Sequence, residues 1–182
     1  EEVLFVDRLR LLAVTHPSDV TIFPDEGLRA ARRPFRLYAA RGARAPAAAV
    51  DGLGRDVLSA VARLDRRYPD GFDLMAIRGY AADHSLTLDL GPRSAGSPAD
   101  REVLLLTGWT DYAFSSDNVA AHQAGFSLTP PGLQVRDEAG RWRTVDADLG
   151  VPVGRPQTLV VDLSRLPLRD RTVRIVTNMR VY

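Results

Sequence analysis

The chain has 182 residues, 45% of them apolar, enough for one sizeable core, and its formal net charge of +1 with interspersed signs leaves no basic stripe of the kind nucleic-acid binding needs. It contains no cysteine, which excludes thiolate nucleophiles, disulfides, Cys-ligated zinc and iron-sulfur clusters, and all 24 basic residues are arginine, which excludes lysine Schiff-base and general-base chemistry. No run of about eighteen apolar residues occurs, because Asp7, Arg8 and Arg10 interrupt the apolar segment near the start, so no transmembrane helix is expected. The absence of lysine beside abundant alanine reads as a high-GC genomic bias rather than an arginine recognition surface. The chain begins at Glu1 rather than Met, so a leader, a tag or a whole upstream region is expected to be missing before it. Compartment stays open between cytoplasmic and exported.

In chain order, residues 3–14 are rich in aliphatic residues with partial alternation and are expected to pair with a strand at 20–23 across the turn signal His16-Pro17-Ser18-Asp19. Residues 35–40 read as a third strand entered through Pro34, and 41–46 as a connection. Val57, Leu58, Val61, Leu64 and Tyr68 follow at spacings that place them on one face of a helix over 55–68, closed by Pro69-Asp70-Gly71. Leu86, Leu88 and Leu90 alternate with polar residues as the inner face of a strand at 85–90. The Gly, Pro and Ser content of 91–100 marks a surface loop and the best internal boundary.

Residues 103–106 are continuously apolar, as expected for a central strand buried on both faces. Residues 133–135 and 141–145 read as a hairpin around Glu138-Ala139-Gly140 that carries Trp142, and strands at 158–163 and 173–181 follow. These elements predict a mainly β chain, an antiparallel β-sandwich or jelly roll with one or two short helices. One domain over 1–182 is the default, and 1–84 as an N-terminal extension packed on a core of 85–182 is the alternative.

The best candidate site is 104–125, where apolar strand, polar aromatic loop and short helix follow within twenty-two residues. Ser115 or Ser116 is expected to cap the helix and Gly125 to end it. Trp109, Asp111 and Tyr112 lie just past a strand, where side chains leave the sheet, and two aromatics with a carboxylate suit a sugar, whose apolar face stacks on rings. Asn118, Gln123 and Asn178 are the amides added to that set. The competing reading packs Trp109 and Tyr112 under the helix and lets Asp111 and Asn118 tie loop backbone.

His16, His84 and His122 have no zinc-ligand spacing. Asp146 and Asp148 before Gly150 are weak calcium candidates without EF-hand spacing, with a solvated turn as the alternative. There is no GxSxG elbow, P-loop or GxGxxG, so no catalytic residue is assigned and no cofactor other than calcium is expected. Arg29, Arg32 and Arg33, and Arg63, Arg66 and Arg67, form two clusters; the second suits the carbonyls of a helix end, and both would have to converge to make an anion surface.

TGWTDY at 107–112, SSDN at 115–118, AAHQAGF at 120–126, the Pro-Pro-Gly bend, VRDEAGRWRTV at 135–145, GVPVG at 150–154, TLVVDL at 158–163 and RIVTNMRVY at 174–182 together resemble a β-rich module of bacterial proteins that also carry TPR, FG-GAP or UnbV-type segments. Residues 9–26, 54–73 and 77–91 look like the same module. The resemblance implies a galactose-binding-like fold within a longer protein, and the module usually continues with Trp-Asp where this chain stops at Tyr182. The expected function is a noncatalytic binding or interdomain packing module of a larger bacterial protein, with neighbouring domains as partners and a glycan or small molecule as ligand through loop aromatics. The first alternative is an assembly element without a small ligand, in which 173–182 as an exposed edge and the 55–68 helix meet neighbouring repeats or a second copy in a homo-oligomer. The second is an enzyme subunit or hydrolase with an unrecognised site.

Overall fold

The computed structural model describes residues 5–31, 34–93 and 101–182. In chain order its elements are β1 (Val20–Pro24), β2 (Leu37–Arg41), β3 (Ala48–Asp51), α1 (Leu58–Val61), β4 (Tyr80–Asp89), β5 (Val103–Gly108), α2 (Ser115–Gln123), β6 (Gly132–Arg136), β7 (Trp142–Asp146), β8 (Gln157–Asp162) and β9 (Thr172–Met179). The chain is mainly β, all strand pairings are antiparallel, and both helices are short. A five-stranded sheet runs in the order β3-β4-β9-β6-β7, while β1 pairs with β2 and β5 with β8.

The two-residue period of β4, β8 and β9 builds the core. Leu88 of β4, Leu133 and Val135 of β6 and Val173 of β9 turn one way from the large sheet, and Leu159, Val161 and the following Leu163 meet them from the β8 side. Ala49 of β3 joins the same cluster, and its small side chain lets an edge strand sit close. β1 is tied to β8 where Glu26 N–H donates to the Thr158 carbonyl at 3.0 Å and a carboxylate oxygen of Asp25 accepts from Val160 N–H at 3.3 Å. The predicted hairpin is present as β6 and β7, turned by Asp137, whose Oδ1 accepts from Ala139 N–H and Arg141 N–H at 2.9 Å each.

Several expectations are corrected. The strand at 3–14 is absent from its described part: residues 5–14 have no pairing partner and stand in solvent, with Phe5, Leu9 and Leu11 close to nine-tenths exposed. β1 therefore pairs with β2, not with that segment. The helix expected over 55–68 is a single turn. Val57, Leu58 and Val61 reach the core cluster, but Leu64 faces water and Arg66 takes a left-handed φ of 64°, so nothing apolar lies beneath a continued helix.

β5 is not central: among the described residues it pairs only with β8, and its leucines are half-buried. Conversely, the 173–182 segment is no exposed edge, because β9 is bonded on both sides by β4 and β6. The part of the 91–100 loop at 94–100, and Arg32 and Arg33, lie outside the described residues.

Candidate functional site

Past β5 the backbone at 109–111 forms a short ladder with the chain end. Trp109 N–H donates to the Tyr182 carbonyl and Tyr182 N–H to the Trp109 carbonyl, both at 2.8 Å, and Asp111 N–H donates to Arg180 at 3.0 Å. This register stacks the Trp109 ring on Tyr182, with centroids 4.7 Å apart and planes 16° apart. Tyr182 tilts against Phe72 at 5.2 Å, and Phe72 stacks on His84 at 4.1 Å. Four rings distant in sequence thus form one ladder. Burial pushes the His84 imidazole pKa down, against the opposing pull of the Ala82 carbonyl and Asp83, which favours a neutral ring in the stack.

The predicted site residues divide into those engaged within the fold and those left outward. The Asp111 carboxylate receives Arg78 at 2.9 Å and Arg180 at 3.2 Å. Tyr80 Oη–H donates to Asn118 Oδ1 at 3.2 Å. Asn178 holds the 127–129 loop, accepting from Thr129 N–H at 2.7 Å and donating to the Ser127 carbonyl at 2.9 Å. Tyr112 is 42% exposed, edge-on to exposed Phe114, over whose ring the Arg78 guanidinium sits at 4.3 Å. Gln123 is exposed on α2.

Ser115 and Ser116 are the first helical residues rather than the cap; the Asp117 carboxylate accepts from Phe114 N–H at 2.8 Å instead. Gly125, at φ 78°, ends α2 as expected, with Gly125 N–H to His122 and Phe126 N–H to Ala121 satisfying the last carbonyls.

Asp146 and Asp148 share one turn. Asp146 Oδ1 accepts from Asp148 N–H at 3.0 Å, and Asp148 accepts from Ala30 N–H and Gly150 N–H at 3.0 and 3.1 Å. Among the described residues no three His, Asp or Glu side chains converge as a metal site.

Sequence reasoning missed two features. The first is Arg180, whose guanidinium is largely buried and reaches the carbonyls of Met75 at 2.6 Å, Ile77 at 3.3 Å and Tyr80 at 3.1 Å as well as Asp111. A lone arginine before a chain end carries no local signal of that role. The second is a cleft of about 1900 Å³ between the large sheet and the β1-β2 and β5-β8 pairs. Leu86, Leu88 and Ile175 border it from the large sheet, Leu104 and Leu106 from β5, and Phe72, His84, Tyr68 and Tyr182 from the ring ladder's side. Every residue of β5 borders it, with Leu104 and Leu106 also packed against the core cluster, and among the described residues the strand's second edge has no partner.

The cleft gathers positive charge. Eight arginines border it against two carboxylates, Asp51 and Glu102; Arg41, Arg67 and Arg101 are paired with Asp19, Asp65 and Asp162 just outside the lining, and the rest leave the rim with an excess of arginine. Both carboxylates are already engaged: Arg55 takes Asp51 at 2.7 Å, and Arg171 grips Glu102 bidentately. The Arg171 hydrogen bonds hold the Glu102 carboxyl below its ordinary value, against a smaller opposing effect of burial. The arrangement provides an apolar floor, stacked rings that include His84, and a rim of arginines, with Asp51 and Glu102 held in ion pairs. Searches among protein-family models, curated proteins and solved structures gave no match to this chain.

Proposed function

We propose that this chain is a noncatalytic binding or interdomain packing module whose recognition surface is the cleft between its sheets. One observation carries the reading: β5, whose leucine run has the composition of a strand covered on both faces, borders an open apolar cleft with one edge unpaired among the described residues. Apolar surface left uncovered beside an open backbone edge is the usual mark of a binding groove. The resemblance of residues 107–182 to a module of longer bacterial proteins supports a role alongside neighbouring domains. Because Trp109 stacks on Tyr182, and Tyr182 borders the cleft, Trp109 emission should report cleft occupancy in a Trp142→Phe background. Titration with an uncharged apolar dye should give a saturable change in Trp109 emission that is weakened at least about tenfold in Leu106→Asp, whereas no response would remove the reading.

A second reading, sugar binding through the loop, is favoured by the exposed Tyr112 and Phe114 rings beside Arg78. It predicts an emission or calorimetric response to an oligosaccharide panel that is lost in Tyr112→Ala and kept in Leu106→Asp.

A further inference from the structure

What the cleft holds can be argued from its backbone, its charge and the pattern of its floor. β5 offers six residues, a length of about 20 Å at the usual rise per residue, and its second edge, without a partner strand among the described residues, presents N–H and C=O groups to an added strand. β2, across the same opening, likewise pairs only with β1 among the described residues. An extended polypeptide satisfies such edges, and alternate side chains would reach the leucine floor on one side and the rim on the other.

The rim is cationic. Arg36, Arg63 and Arg66 have no side-chain hydrogen bond or ion pair among the described residues, so their guanidinium donors remain available for planar, bidentate pairing with carboxylates. Residues 5–14 of a second copy are apolar and exposed, but the N-terminal segment mixes Arg8 and Arg10 with Glu1, Glu2 and Asp7 instead of alternating apolar residues with acids.

We propose that the cleft binds an extended acidic segment of polypeptide, alternating apolar residues with Asp or Glu, which adds as a strand along the unpaired edge of β5. This rests on the reading of the cleft as the recognition surface. Its backbone bonds supply the alignment, the leucines take the apolar side chains, and the arginines select the charge.

The test uses a labelled twelve-residue peptide alternating Val and Glu, its Val and Lys counterpart, and a version of the Glu peptide N-methylated on alternate residues, with binding read by anisotropy and by amide exchange at Val103, Leu105 and Thr107, the β5 residues whose N–H groups point away from β8. The proposal expects the Glu peptide to bind at least about tenfold more tightly than the Lys peptide, to weaken with added salt, and to slow exchange at those amides. N-methylation should abolish binding in one of the two alternating registers. The combined variant Arg36→Gln, Arg63→Gln, Arg66→Gln should lose about tenfold or more in affinity while its thermal unfolding midpoint stays close to that of the parent.

Equal binding of the Glu and Lys peptides would overturn it, as would binding without protection of the β5 amides. Anionic phospholipid vesicles captured in preference to the peptide would reassign the cleft to a membrane surface, and self-association that buries residues 5–14 would reassign it to a second copy; either result overturns the proposal. If the uncharged dye binds while no peptide does, the acidic occupant fails and the cleft reading stands; if neither binds, both fail.

Discussion

Arg180 directs its guanidinium to three backbone carbonyls and to Asp111, so it fastens the chain's last strand to the turn at 75–80 and to the loop after β5 at once. Replacing it by Met removes the donor to the Met75 carbonyl, while Ile77, Tyr80 and Asp111 each keep one other partner, and Arg180→Met is expected to lose about 2–4 kcal/mol in urea unfolding. Arg180→Lys should recover little, since one ammonium cannot span the same set of acceptors.

Gly79 lies in the same knot. Its φ of 84° is in the left-handed region, and an added Cβ would come within 2.4 Å of Ala113 N, so Gly79→Ala should cost about 2 kcal/mol or more; an unchanged midpoint would contradict the geometry. At Glu102 the folded carboxyl titrates below its ordinary value of 4.5, so the pair with Arg171 contributes stability above that value and loses it as pH falls through the lower folded pKa. Thermal unfolding followed from about pH 7 down to about pH 3 should therefore fall less steeply in Glu102→Gln than in the parent.

The elements differ in how far local pattern could foretell them. β4 and β8 and the β6-β7 hairpin were legible because their side-chain period and turn residues are set locally: Leu86 and Leu88 alternate with Thr87, and Asp137 builds its own turn. The segment at 3–14 has the same composition, but a strand needs a partner, and no sheet edge pairs with its described part. Periodicity at 55–68 was sound for Val57, Leu58 and Val61 and ended where the sheet beneath them ended. The positions of β5 and β9 were exchanged for the same reason, since composition reports how apolar a strand is and not how many neighbours it has.

Amide exchange separates these cases. β9, bonded on both sides, is expected to exchange slowest in the chain, and the residues of β5 whose N–H groups face the cleft should exchange faster than their alternate neighbours bonded to β8. Uniform protection along β5 would mean that its edge is covered.

Across the whole molecule, the candidate site foreseen at 109–123 and the cleft turn out to be joined through rings. Trp109 was legible as a residue leaving a strand, but its stack through Tyr182 and Phe72 to His84 draws on positions more than a hundred residues apart at the extremes. Charge shows the same limit. The arginines along the chain are evenly mixed with acids, yet those at 36–44, 63–67 and 93–101 collect on one opening, whose lining includes only two carboxylates, Asp51 and Glu102. Only the three-dimensional arrangement turns a nearly neutral chain into one with a cationic cleft. Because the chain has no cysteine, a single engineered thiol can report on that cleft without interference. The most direct measurement is the labelling rate of Leu106→Cys by an uncharged thiol reagent, free and with saturating acidic peptide or apolar dye. An open recognition cleft predicts rapid labelling of the free protein and at least about tenfold slower labelling when it is filled, whereas a thiol already shielded in the free protein, or labelled at the same rate with every ligand, would contradict it.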